Sequence, residues 1–263
     1  MAAEESGSSA GHPLLGRVAI VTGGAGEIGG AIAAHLAALG AHVVISYFSG
    51  SGQADRLVGE INASPSPSRA IAVKADVSKA ADVKALFDAA EETFGGAAHI
   101  LVACAGVLDS KYPTLAATPE EDWDKAFAVN AKGTFLCCRE AANRLVRGGG
   151  GRIVTISTGL VKALQPHFAA YTASKAAVEA TTKILAKELR GTQITANCVA
   201  PGPMDTEMFH TGLTEDIVKM IVGMVTLGRL GKPEEIAAVV GFLTTDAGGW
   251  VHGQVIGANG GFI

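Results

Sequence analysis

The most constraining feature lies near the start of the chain. The apolar run Val18–Thr22 passes directly into Gly23-Gly24-Ala25-Gly26-Glu27-Ile28-Gly29 and then into an Ala-rich stretch over residues 29–39 that stops at Gly40. A continuous apolar run this short reads as a strand buried on both faces. The stretch after it reads as a helix with a glycine stop. Glycines between a strand and a helix permit a tight turn and a close backbone approach to a pyrophosphate. The helix N-terminus supplies free N–H groups and a partial positive charge. Gly24-x-Gly26-x-x-Gly29 also satisfies the generic dinucleotide-binding spacing.

The alternation continues. Further strands are expected at His42–Tyr47, Ala70–Lys74, 99–103, Arg152–Ile156, 194–199 and 254–257. Helices are expected at about 79–94, 120–146, 171–189 and Pro233–Thr244. The 120–146 helix is entered from Thr118-Pro119, with Thr118 as N-cap and Pro119 in the first turn. One short helix is flanked by Ser/Gly/Pro-rich loops at 46–52 and 63–68. Apolar strands alternating with helices predict an α/β protein: one doubly wound domain, about seven parallel strands, helices on both faces. The expected domain spans 14–263, and residues 1–13, small and polar, are expected to be a disordered tail. The rhythm breaks at 201–229, which begins Pro-Gly-Pro and holds Met204, Met208, Phe209, Met220 and Met224. Residues 203–229 are expected to be a mobile, irregular substrate lid. With Leu160, Leu164 and Phe168 they would make an adaptable apolar pocket.

Composition excludes several classes. A net charge of −4 without a Lys/Arg cluster argues against nucleic-acid binding. Cys104, Cys137, Cys138 and Cys198 show no CxxC spacing and read as reduced, buried thiols of a cytoplasmic protein. The seven histidines make neither HxxxH nor HExxH, so no metal site is expected. No apolar run is long enough to span a membrane.

Tyr171 and Lys175 stand four residues apart at the start of an expected helix, on one face and one turn apart. A free phenol ionises near pH 10. A neighbouring ammonium favours the phenolate and lowers that value. The pair suits proton exchange at a carbonyl or alcohol oxygen.

These elements, in this order, resemble the short-chain dehydrogenase/reductase family, and within it plant aldehyde-reductase-like and 3-oxoacyl-carrier-protein-reductase-like members. The resemblance runs from Gly16 to Ile263. It rests on the glycine turn, Asp76-Val77, Cys104-Ala105-Gly106, Val129-Asn130, Tyr171 with Lys175, Pro201-Gly202 with Thr206, and Asn259-Gly260-Gly261. It implies a Rossmann-type domain and a set of roles. Gly23, Gly26, Glu27 and Ile28 belong to the turn that holds a pyrophosphate. Asp76 and Val77 would meet the adenine, Ala105 and Gly106 the adenosine ribose. Pro201, Gly202 and Thr206 would hold the nicotinamide. Tyr171 would be the general acid of reduction. Lys175 would lower its pKa and hold the nicotinamide ribose, and Asn130 would join a proton relay with Lys175. The family's third hydroxyl falls thirteen residues before Tyr171, on Thr158 rather than its neighbour Ser157. It would donate to the substrate oxygen. A homotetramer, or a homodimer, is likewise implied.

Two departures stand out. Glu27 occupies the family's middle glycine, where its carboxylate must face solvent or a cation to avoid a pyrophosphate. Ala103-Cys104 replaces an Asn-Asn pair. At the second strand's end, Tyr47 stands where NAD enzymes commonly carry an acid, and Ser46, Ser49 and Ser51 could donate to a 2′-phosphate. The expectation is therefore NADP(H), with NAD(H) the alternative. The leading reading is an oxidoreductase interconverting an aldehyde or ketone and its alcohol. A nucleotide-binding scaffold or sensor and an acyl-carrier-dependent reductase are the alternatives. Lys162, Arg229 and Lys232 make too small a basic patch to favour the last.

Overall fold

The computed structural model describes residues 11–263. Seven strands form one parallel sheet: β1 (Val18–Thr22), β2 (His42–Tyr47), β3 (Ala70–Lys74), β4 (Ile100–Ala103), β5 (Arg152–Ile156), β6 (Thr195–Pro201) and β7 (Val255–Ala258). Their order is β3-β2-β1-β4-β5-β6-β7. The chain winds outward from β1 in one direction and from β4 in the other. The crevice for a ligand in such a sheet lies at the carboxyl ends of the two strands where the order reverses. Thr22 of β1 lies beside Ala103, and Ala103 beside Thr155, so these strand ends are level.

Period-two alternation sends successive side chains to opposite faces. Ala19 and Val21 pack with Ile32, Leu36 and Val240 on one face. Val18 and Ile20 pack with Phe87, Leu86 and Leu136 on the other. The first face is covered by α1 (Glu27–Ala38), with α2 (Ser51–Ala63) beside it. The second is covered by α3 (Ala80–Phe94) and a helix running from α4 (Glu120–Ala126) through a π-helical stretch, Phe127–Gly133, into α5 (Thr134–Arg144). Phe87, Ile20 and Leu101 are completely buried; each such side chain contributes about 1.5–3 kcal/mol. After β5 come a short turn, α6 (Leu160–Ala163), and the long α7 (Ala169–Glu188). α8 (Glu207–His210) and α9 (Glu215–Met224) follow β6, and α10 (Pro233–Thr244) returns against α1.

Several expectations change. Thr118 does not cap α4; its hydroxyl donates to the Thr114 carbonyl at 3.0 Å, and Pro119 is the N-cap. The expected helix over 120–146 carries the π-helical stretch at its centre and ends at Arg144. Residues 203–229 are not irregular, because α8 and α9 occupy much of them. Thr206 and Thr214 supply their N-caps. The tail expectation for residues 1–10 lies outside the described residues. Residues 11–13 lead into Leu14, which is fully buried and donates its N–H to the Leu39 carbonyl.

Candidate active site

The glycine turn is held by its neighbours. Gly23 has φ +66°, a conformation side chains disfavour, and a Cβ there would come 2.8 Å from the Ala105 Cα. A Cβ on Gly29 would overlap the Gly23 carbonyl oxygen. Thr22 Oγ1 accepts from the N–H groups of Cys104 and Ala105 at 3.1 and 3.2 Å, joining the β1 and β4 ends. α1 begins at Glu27 with no side-chain cap, so its first N–H groups face the crevice without a side-chain partner. Gly26, its N-cap, leaves the approach clear. This cradle fits a dinucleotide pyrophosphate.

The expected adenosine residues line the ends of β2, β3 and β4. Asp76 Oδ1 accepts from the Ser78 N–H and hydroxyl at 3.0 and 2.7 Å. That hydroxyl chiefly holds the Asp76 carboxyl below its ordinary range. Val77 is buried against Gly133 of the π-helical stretch. Tyr47 is half-buried and Ser49 exposed. Ser49 lies just before α2, whose N-cap is Gly50 with φ 79° and no side-chain bond. Lys74, which the sequence reading missed, pairs in register with Tyr47 at the level ends of β2 and β3. Strand register, not local pattern, was its signal.

Around the expected catalytic residues the polar groups converge. Lys175 is 3% exposed, and its Nζ donates to the Ile156 carbonyl at 2.7 Å. It lies 6.0 Å from the Tyr171 ring centroid. Asn130, fully buried in the π-helical stretch, accepts from the Val107 N–H at 2.8 Å. Its Nδ2 donates to the Val107 carbonyl and to Ser174 Oγ, both at 3.0 Å. A Cβ on Gly106 would sit 3.3 Å from Lys175 Nζ and 3.4 Å from Asn130 Oδ1, so little room is left between them. The two hydroxyls after β5 diverge. Ser157 Oγ donates to Glu179 Oε1 at 2.8 Å, whereas Thr158 Oγ1 accepts from the Leu160 N–H at 3.3 Å and its hydroxyl favours the ionised Tyr171 phenol.

One expectation about charge is not met in this geometry. Burial pushes the Tyr171 phenol up to about 12; Cys104 adds to the rise, and the Thr158 hydroxyl opposes it. Burial likewise lowers the Lys175 pKa. An ammonium bound to a carbonyl at that distance does not overcome the loss of water.

A cavity of about 260 Å³ opens beside Tyr171. Val107, Asp109, Lys111, His167 and Phe168 are among its walls. Phe168 lines it as expected, but the expected methionines do not: Met204 is buried in the core, while Met208, Met220 and Met224 are exposed. The walls are accordingly more polar than the sequence implied. Tyr112, also missed, joins the end of α8 to this wall through its hydroxyl, which donates to the Thr211 carbonyl at 3.0 Å. Its φ of 49° is rare for tyrosine and leaves no sequence signature. Pro201 ends β6, and Gly202 and Thr206 follow it. The Pro201 carbonyl accepts from the Gly159 N–H at 2.7 Å, and a Cβ on Gly202 would collide with Asn259. Thr206 Oγ1 accepts from the Phe209 N–H at 3.3 Å. Glu27 does not meet a cation; its Oε2 accepts from the Glu207 N–H at 2.7 Å. Among the described residues there is no group of three or more His, Cys, Asp or Glu placed to hold a metal ion. None of their helices is long and apolar enough to cross a membrane.

This sheet order, glycine turn and Tyr171/Lys175 pairing belong together: the chain is a member of the short-chain dehydrogenase/reductase family. A family model described as "Enoyl-(Acyl carrier protein) reductase" matches residues 23–263. The "NADPH-dependent aldehyde reductase-like protein, chloroplastic" of Arabidopsis thaliana is 54% identical, over 95% of this chain and 96% of that one. "NADPH-dependent aldehyde reductase 2, chloroplastic", from the same plant, is 52% identical over the whole of both chains. The crystal structure of a short-chain dehydrogenase from Burkholderia cenocepacia J2315 in complex with NADP superposes with a TM-score of 0.88. It is 34% identical, covering 95% of this chain and 99% of that one. The word "chloroplastic" in both plant names overturns the expectation of a cytoplasmic protein. Four unpaired thiols distinguish reducing from oxidising surroundings, not one reducing compartment from another.

Proposed function

We propose that the chain is an NADP(H)-dependent oxidoreductase that reduces an aldehyde or ketone to its alcohol, with Tyr171 giving the proton. The observation that carries this is the meeting of Tyr171, Thr158, Lys175 and Asn130 beside a cavity at the carboxyl end of the sheet. Two relatives named as NADPH-dependent aldehyde reductases and a similar structure in complex with NADP support the coenzyme and substrate class.

The coenzyme, when bound, supplies a hydride to the carbonyl carbon. Gly23, Gly26, Glu27 and Ile28 would hold its pyrophosphate by their backbone. Asp76, Val77, Ala105 and Gly106 would border its adenosine, and Pro201, Gly202 and Thr206 its nicotinamide. Tyr47 and Ser49 would border the 2′-phosphate, with Lys74 supplying charge. Tyr171 donates its proton to the substrate oxygen, and Thr158 donates a hydrogen bond to the same oxygen. Lys175 would hold the nicotinamide ribose. Asn130 fixes Val107 in the cavity wall and joins the relay that returns a proton toward Tyr171.

We further propose that residues 14–263 act as a single domain and that 203–229 serve as a lid. A homotetramer or homodimer is proposed as well. Exposed Phe135, Ile184, Phe242 and Trp250 support association, and sedimentation would measure it.

The test is to titrate NADPH and NADH against the purified protein by fluorescence, then to add a panel of aldehydes and ketones. Tighter NADPH binding with turnover is expected. The Tyr171→Phe variant should keep coenzyme binding and lose about 10²–10⁴-fold in kcat. Full turnover in that variant removes the mechanism; failure to bind either nucleotide removes the coenzyme site.

A further inference from the structure

We infer that Glu27 is a positioning residue that clasps the lid to the coenzyme turn and thereby slows coenzyme release. The inference rests on the coenzyme site proposed above.

The residues from 207 to 211 form a small unit tied at both ends. At its start, the Glu207 N–H donates to Glu27 Oε2 at 2.7 Å, across 180 residues of sequence. At its end, the Thr211 carbonyl accepts from the Tyr112 hydroxyl at 3.0 Å. Inside, the Glu207 carbonyl accepts from the Thr211 N–H and hydroxyl at 2.9 and 2.7 Å. Next to it, a Cβ on Gly212 would overlap the Ser110 carbonyl oxygen, so the chain runs tightly against the loop after β4. One end is therefore fastened to the turn that cradles pyrophosphate. The other is fastened to the loop that walls the cavity beside Tyr171. α8 bridges the two halves of the crevice.

Glu27 also resolves an electrostatic difficulty by this contact. A carboxylate at the first position of α1 sits close to where two phosphates belong. Engaged by a backbone N–H, its Oε2 is turned toward the lid. Such a charge-assisted bond is stronger than a neutral one. A glycine here could not make it. When the clasp opens, the lid start is released and the carboxylate is freed near the phosphates; both effects favour departure of the coenzyme. Closed, it opposes that departure.

The test compares Glu27→Ala with Glu27→Gln in the full chain. Glutamine keeps an acceptor oxygen and loses the charge; alanine loses both. Two readings are taken. The first is amide exchange across residues 207–211 without coenzyme. The second is the NADPH dissociation rate by stopped flow. For Glu27→Ala, amide exchange and NADPH dissociation should each rise roughly three- to tenfold, the scale of one partly exposed charged hydrogen bond. Glu27→Gln should show the smaller rise in both, rescue by the acceptor. If both variants instead hold NADPH more tightly and alike, Glu27 acts by repulsion alone and the clasp is overturned. Unchanged exchange in Glu27→Ala overturns it too. If the unmodified chain does not bind NADPH, the coenzyme reading falls, while the exchange experiment still decides the contact.

Discussion

At the residue scale, the two hydroxyls after β5 are told apart by their partners. Thirteen residues before Tyr171 the chain offers Thr158, with Ser157 adjacent. Ser157 is spent on Glu179, while the Thr158 hydroxyl acts on the Tyr171 phenol, favouring its ionised form. Thr158→Val should therefore lower kcat by about 10²–10³-fold, and Thr158→Ser should restore most of it. Ser157→Ala should leave turnover near that of the parent. A large loss in Ser157→Ala with none in Thr158→Val would reverse the assignment. Tyr171 gives a second prediction. Its phenol, held at about 12 by burial, stays protonated through the neutral and mildly alkaline range. The protonated form is the donor needed for reduction, and the phenolate is the base needed for oxidation. Below the folded-state pKa the acid is fully present, and it is lost as pH rises through that value. The reductive rate should thus stay level to about pH 10, whereas the oxidative rate should climb with pH. Rates of both directions across pH 7–11 would check it; a reductive rate falling from neutrality would contradict it.

At the scale of elements, the π-helical stretch Phe127–Gly133 is the least expected piece. π-helical turns concentrate at functional sites because they re-aim side chains. Here the stretch carries Asn130 into the interior, where it satisfies both backbone groups of Val107. Asn130→Ala would leave those groups without partners and should cost about 1–3 kcal/mol in stability, read by urea denaturation. Turnover should fall further than that loss explains, because the Val107 wall is released. An Asn130→Ala protein with parental turnover would remove the positioning role.

What the sequence revealed follows from how local each signal is. The strands β1, β2, β3 and β5 were legible to the residue, because short apolar runs between glycines and loops have few other uses. The ends of helices were less so: Thr118 stood in the N-cap pattern but spends its hydroxyl on Thr114. The π turn carries no periodic signature distinct from an ordinary helix. α8 and α9 were hidden because Pro201-Gly202-Pro203 reads as loop and dominates its surroundings. Within the candidate site, Tyr171 and Lys175 were singled out by their spacing, and Thr158 by the family resemblance. Lys74, Tyr112 and the partner of Glu27 depend on tertiary contacts between distant segments, which spacing does not encode.

At the scale of the whole molecule, the crevice belongs to the entire sheet. Its floor is the level ends of β1, β4 and β5, and its walls come from segments as far apart as Gly23 and Thr206. Each half of the sheet therefore contributes to the proposed coenzyme site. Both core clusters also cross the β1–β4 boundary: Val21 with Val102 and Val199 on one face, Ile20 with Leu101 and Ile153 on the other. No layer of the core stops where the strand order reverses. Unfolding either half would expose the other, so heating should produce one cooperative transition. Coenzyme that binds the folded chain alone should raise it. At a hundred times its Kd, NADPH should add about 2.7 kcal/mol, a rise of roughly 5–10 °C in Tm for a chain of this length. NADH at the same concentration should raise it less, because the proposed 2′-phosphate contacts at Tyr47 and Ser49 then go unused. Differential scanning calorimetry with each nucleotide measures both points at once. Two separate transitions would break the single-domain reading, and equal shifts would break the coenzyme preference; one transition moved further by NADPH joins the fold and the site in a single observation.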